Sequence, residues 1–242
     1  MELGSQGERE IPRKSFFSSR LADSPTPRLI YLITKGEATC ENFPEKSVEI
    51  LQIVEAAVRA EISLIQIREK QLPARFVFEL TEKASRLTRN SETKLLVNDR
   101  ADIAFLADAD GVHLTSLSLS AAAIRRNFPK DFIVGVSTHT LAEAESAKRQ
   151  GADFVTFSPI FHSPHKGEPK GLIELKEVCA QLKPFPVLAL GGIDETNYKS
   201  VLETGASGFA AIRFLNEAEN LRNLKRDLAT ENTESTEKNN RR

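Results

Sequence analysis

The chain has 242 residues, 40% of them hydrophobic, with 33 Lys and Arg against 34 Asp and Glu for a net charge of −1. That balance excludes a global basic field of the kind that holds nucleic acid, so any anion site must be local. Two cysteines, no apolar run near ~18 residues and no tryptophan exclude a disulfide scaffold, a membrane-spanning helix and an aromatic platform for single strands.

Residues 1–27 are polar, with Gly, Ser and Pro and little apolar periodicity, and read as a flexible tail. Their first stretch, MELGSQGEREIPRK, lacks the apolar region of a signal peptide. Cys40 and Cys179 are far apart in sequence, so the expected compartment is the reducing cytoplasm. Strand and helix signals then alternate. Strand Leu29–Thr34 precedes helix Ser47–Ala60, whose Val48, Leu51, Ile53, Val54 and Val58 fall mostly on one face. Strand Ser63–Ile67 is followed by helix Ala74–Asn90, and strand Lys94–Val97 by a short helix at Ala101–Ala107. Strands Gly111–Leu114, Phe132–Val136 and Phe154–Phe157 precede helices Ser120–Asn127, Leu141–Gln150 and Leu172–Leu182. Strands Pro186–Leu190 and Gly208–Ile212 precede helices Glu195–Thr204 and Glu217–Leu228. Residues 229–242, ATENTESTEKNNRR, carry no core residues and read as a second flexible tail.

Near-continuous apolar strands are those of a parallel sheet covered on both faces. Eight such units between residues 28 and 228 predict an α/β fold, a single-domain (β/α)₈ TIM barrel with flexible polar tails. The rival is a doubly wound open sheet, but neither GxGxxG nor GxxxxGK[ST] follows any strand. Polar residues cluster just after strand ends, and in a barrel those positions converge on one mouth.

Four clusters there carry chemistry. Gln66, Arg68 and Lys70 alternate onto one side of the second strand's end and suit a multiply charged oxyanion. The rival reading is a strand end salt-bridged by Glu69. Asn98 and Asp99 end the third strand, where Asp99 could hold a divalent ion and Asn98 a heterocycle edge or phosphate, or either could cap the next helix. Ser163, His165 and Lys166 sit in the loop after the sixth strand, with Lys166 placed to clamp phosphate. Gly191-Gly192 and Ile212-Arg213 end the last two strands, where barrels commonly bind phosphate through backbone amides. No nucleophile elbow or triad is visible. The chemistry expected is positioning and electrostatics on phosphorylated molecules rather than covalent catalysis.

Seven stretches, QIREK (66–70), VNDR (97–100), ADGVHL (109–114), GVSTHT (135–140), GADF (151–154), residues 159–166 and ALGGI (189–193), stand in the order of one family. They cover about residues 28–228, and the chain resembles the thiamine phosphate synthase and thiazole tautomerase superfamily. The resemblance implies a (β/α)₈ barrel. It also implies a transferase that joins 4-amino-2-methyl-5-hydroxymethylpyrimidine pyrophosphate to a thiazole phosphate and releases pyrophosphate. In that family pyrophosphate leaves first and the thiazole nitrogen traps a pyrimidine carbocation. By motif, Gln66, Arg68, Lys70, Asn98, Ser137 and Lys166 would bind the pyrimidine pyrophosphate, and Asp99 would hold Mg²⁺ as cofactor. Ser163, His165, Gly192, Ile212 and Arg213 would face the thiazole phosphate. Arg68, Ser137, His139 and Lys166 would carry the catalysis. The partners implied are these small phosphorylated substrates, not nucleic acid or membrane, and a homo-oligomer is compatible with the sequence.

The sequence departs from the family in three places. The synthase continues from ADGVHL to a second aspartate ligand of magnesium, whereas Ser118 stands there here. The two threonines of the loop after the sixth strand are Ser163 and His165, and the serine after the eighth strand is Arg213. In the tautomerases, which need no magnesium, the histidine at the His139 position is the acid/base. Asn98, Asp99 and Lys166 favour the synthase, and Ser118 favours the tautomerase. A third reading is a relative that binds a thiamine precursor without turning it over.

Overall fold

The computed structural model describes residues 28–164 and 167–240, with side chains described as far as Thr230. The expected tail at 1–27 lies outside the described residues, as do His165 and Lys166. The strands are β1 (Leu29–Ile33), β2 (Leu64–Ile67), β3 (Lys94–Asn98), β4 (Gly111–Leu114), β5 (Ile133–Thr138), β6 (Phe154–Phe157), β7 (Val187–Leu190) and β8 (Gly208–Ala211). All pair in parallel in chain order, and β8 closes on β1 through Leu29–Gly208 and Tyr31–Ala210. The result is the closed barrel expected.

The helices are α1 (Phe43–Arg59), α2 (Ala74–Thr88), α3 (Ala101–Leu106), α4 (Ala121–Asn127), α5 (Leu141–Arg149), α6 (Gly171–Leu182), α7 (Tyr198–Leu202) and α8 (Ala218–Asn240). Three depart from the sequence reading. α1 starts a turn early because Pro44 sits in its first turn, where a missing N–H costs nothing. Its buried stripe is therefore Phe43, Ser47, Val54 and Ala57, and Val48 is exposed. α7 is shorter because Asp194 and Asn197 bind the backbone of a turn instead: Asp194 Oδ1 accepts from the Thr196 amide at 2.9 Å. Asn197 Oδ1 accepts from the Asp194 amide at 3.0 Å. α8 runs to Asn240, through most of the stretch read as a tail. Its core-facing pattern stops near Leu228, but no Gly or Pro follows to break the helix.

Side chains alternate along each strand and so divide the apolar residues between two cores. One face, with Ile30, Ile65, Val97, Val134, Val155 and Phe209, packs under the helices. The other, with Tyr31, Leu64, Leu96, Ile133, Phe154 and Leu188, fills the barrel. Gly135 makes room in this filling: a Cβ there would stand 2.4 Å from Phe154 Cζ and 2.8 Å from His113 Nδ1. We expect Gly135→Ala to cost about 1–3 kcal/mol of stability, read as a lower urea midpoint, because a rigid ring must move.

Candidate active site

Above the filled barrel, at the C-terminal ends of the strands, lies a cavity of about 570 Å³. Of the residues expected at the site, Gln66, Arg68, Lys70, Asn98, Ser137, His139, Ser163, Gly192, Ile212 and Arg213 all line it. Strand parity explains this convergence, since alternate residues of β2, β3 and β5 point inward and the last of each reaches the mouth.

The β2–β3 wall is a chain of hydrogen bonds. Gln66 Nε2 donates to Asn98 Oδ1 at 3.1 Å, and Asn98 Nδ2 donates to Asp99 Oδ2 at 3.0 Å. The other carboxylate oxygen of Asp99 accepts from the Thr115 amide and hydroxyl, each at 3.2 Å, and from the Ser118 hydroxyl. Asp99 therefore ties β3 to the loop after β4 and does not cap α3, which has no side-chain cap. Its backbone sits at φ +58°, a left-handed conformation that Asp tolerates better than most residues. Among the described residues Glu69 forms no salt bridge at the strand end either. It is buried facing outward and accepts from the Gly36 amide at 3.2 Å and the Ala38 amide at 2.9 Å, which fixes the loop after β1. Both Arg68 and Arg213 line the cavity, and among the described residues no carboxylate forms an ion pair with either.

The opposite wall is backbone. The amides of Ile160 and Phe161 donate to the carbonyls of Leu190 and Gly191 at 3.0 Å each, which zips the loop after β6 onto the end of β7. Gly191 and Gly192 have φ of +103° and +66°, and a Cβ at 192 would lie 2.5 Å from the His162 carbonyl oxygen. Both glycines are needed, for conformation and for close approach. Asn197 Nδ2 holds the Gly192 carbonyl at 2.9 Å. Asn216 Nδ2 joins the ends of β1 and β8 by donating to the Ile33 and Ile212 carbonyls at 2.8 and 2.6 Å.

Two histidines stand between the walls. His139 Nδ1 lies 2.9 Å from the Ser158 carbonyl, which leaves Nε2 for a ligand. The sequence reading gave no role to His113, although its alternation with Gly111 and Thr115 turns it inward. His113 Nε2 lies 2.9 Å from Ser137 Oγ, a serine–histidine pair invisible from sequence spacing. The pair is not set up for nucleophilic attack. Burial pushes the His113 pKa down to about 4, with Asp99 opposing and Arg68 assisting, and among the described residues no group orients its Nδ1. The sign of the shift sets an acid sensitivity. Below pH ~6.5 the unfolded chain takes up a proton that the folded ring refuses, until about pH 4. The stability lost across that window is on the order of 3 kcal/mol. We expect His113→Gln to remove this part of the acid dependence, measured as urea midpoints from pH 7 to 4.

The cysteines take no part. Cys179 is buried on α6 with its thiol pushed up to about 12 by desolvation, and Cys40 lies outside the cavity.

The family model described as thiamine monophosphate synthase matches residues 30–215. The chain belongs to the thiamine monophosphate synthase family. Other members support the placement. It is 39% identical over 187 residues to the thiamine-phosphate synthase of Roseiflexus castenholzii, which covers 76% of this chain and 79% of that one. It is 33% identical over 199 residues to the thiamine-phosphate synthase of Clostridium acetobutylicum, covering 81% and 91%. Among solved structures it matches thiamine phosphate pyrophosphorylase from Pyrococcus furiosus with a TM-score of 0.69 and 28% identity, over 82% and 96% of the two chains. The fold of that structure thus coincides with the barrel built above from the residues.

Proposed function

We propose that the chain is a thiamine-phosphate synthase. It joins 4-amino-2-methyl-5-hydroxymethylpyrimidine pyrophosphate to thiazole phosphate and releases pyrophosphate. The observation that carries this reading is a cavity that gathers Arg68, Lys70 and Arg213 with Gly191 and Gly192 and, among the described residues, holds no activated nucleophile. Such a site stabilises a departing anion and shields what it leaves behind from water. Arg68 and Lys70, with Gln66 and Asn98, bind the pyrophosphate of the pyrimidine substrate, and Ser137 donates to it. Lys166 binds the same group. Ser163, His165, the Gly192 amide, Ile212 and Arg213 bind the thiazole phosphate. The C–O bond to pyrophosphate breaks first, its electron pair leaving with the pyrophosphate, and the thiazole ring nitrogen then gives its lone pair to the pyrimidine methylene cation. The enzyme works on small phosphorylated molecules in the cytoplasm, without nucleic acid or membrane; among the described residues no helix is long and apolar enough to cross a membrane.

The donors around Asp99 test whether Mg²⁺ fits. They are all oxygen, with one carboxylate beside the hydroxyls of Thr115 and Ser118, and no three His, Cys, Asp or Glu cluster among the described residues. That set suits an ion that keeps waters and takes further oxygens from substrate phosphate, not one caged by protein. Asp99 and Ser118 would hold it, and when bound it supplies positive charge that offsets the leaving pyrophosphate. Supplying both substrates with Mg²⁺ to the purified chain should yield thiamine phosphate and pyrophosphate in equal amounts. Hydrolysis of the pyrimidine pyrophosphate without thiazole incorporation would count against the reading.

A further inference from the structure

We infer that His113 is a positioning residue that fixes the Ser137 hydroxyl as a hydrogen-bond donor aimed at an anionic oxygen in the cavity. His113 is 2% exposed, and its ring lies against Tyr31 and Phe154 with centroids 5.6 and 5.8 Å away. Its Nε2 meets Ser137 Oγ at 2.9 Å, whereas Nδ1 is buried with no partner among the described residues. The neutral ring has two tautomers. A proton on Nδ1 would be a buried N–H with no acceptor, the rarest kind of unsatisfied group, costing about 1–3 kcal/mol. A proton on Nε2 donates to Ser137 Oγ and leaves only a lone pair unpaired at Nδ1. The second tautomer is therefore the one the fold selects, and a charged ring, which carries an N–H at Nδ1 as well, would meet the same missing acceptor.

The tautomer decides what Ser137 can do. With its oxygen accepting from His113, the hydroxyl proton must go elsewhere, and among the described residues no second partner holds it. Ser137 lines the cavity, where Arg68 and Lys70 favour an anion. Its proton is then directed at that anion, as a neutral donor beside cationic ones. In the opposite tautomer Ser137 would give its proton to His113 and offer the anion only a lone pair. The tautomer rests on geometry alone; naming pyrophosphate as the acceptor rests on the function proposed above.

Two measurements on the full chain test this. In ¹⁵N-histidine-labelled protein at neutral pH, imidazole correlation spectra, assigned by the signals lost in His113→Gln, should show His113 neutral and protonated at Nε2. A charged ring or protonation at Nδ1 overturns the inference. Calorimetric titration with inorganic pyrophosphate and Mg²⁺ should show Ser137→Ala and His113→Leu each weakening binding about tenfold, the size of one hydrogen bond. His113→Gln, which keeps an N–H donor, should recover most of that loss. Wild-type affinity in His113→Leu overturns the positioning role. If His113→Leu does not fold, the spectra and Ser137→Ala decide. A wild-type chain that binds no pyrophosphate overturns the acceptor, and with it the reading of the reaction, while the spectra still report the tautomer separately.

Discussion

Arg68→Ala lowers kcat/KM for coupling by about 10²–10³-fold while the urea midpoint stays within experimental error. The asymmetry comes from where Arg68 is anchored. Its backbone amide donates to Thr34 Oγ1 at 2.8 Å, which positions the residue whatever its side chain. Arg68 lines the cavity and its guanidinium pairs with no carboxylate among the described residues, so truncation breaks no ion pair there. What is lost is a fixed positive charge in a shielded site, where charge-assisted contacts are strongest. Steady-state kinetics and equilibrium unfolding on the same preparation check both halves. Coupling within about threefold of wild type would mean that the anion-binding wall has been misplaced.

The second large effect concerns the metal. Ser118 donates directly to Asp99 Oδ1, at the position where the resemblance puts a second acidic ligand. A hydroxyl there satisfies the carboxylate but adds no charge for a hard cation. The wild-type chain is expected to need unusually high Mg²⁺ for coupling. In Ser118→Asp two carboxylates face each other, a repulsion that only a cation relieves. That variant should melt lower than wild type without Mg²⁺, gain more from its addition, and reach half-maximal coupling at about tenfold lower Mg²⁺. An unchanged Mg²⁺ requirement would show that Asp99 does not hold the ion.

The eight strands were legible because a strand buried on both faces must be apolar throughout, as in Leu29–Ile33 and Val187–Leu190. Helix ends were harder. Pro44 is harmless in a first turn, which lets α1 begin before its periodic stretch, and the end of α8 carries no stop signal because nothing obliges a helix to end where its core face does. The mouth residues were legible because alternation sends Gln66, Arg68 and Lys70 the same way. Pairings between strands were not. Ser137 meets His113 because Gly135 stands opposite His113 in the β4–β5 register, and 24 residues of sequence separation give no sign of it. Asp99 illustrates the same limit: nothing in the sequence around it shows that it binds Thr115 and Ser118 rather than capping the next helix.

The most direct test of the account is to measure coupling and thiazole phosphate isomerisation side by side in wild type, Asp99→Ala and His139→Ala, with and without Mg²⁺. The synthase reading predicts Mg²⁺-dependent coupling in wild type and its loss in Asp99→Ala with the fold intact. Asp99 lies at a strand end on an exposed loop contact rather than in the core, so its removal should spare the barrel. Coupling absent at every Mg²⁺ concentration, with isomerisation present, indifferent to Asp99 and abolished in His139→Ala, would contradict it and make the chain a tautomerase.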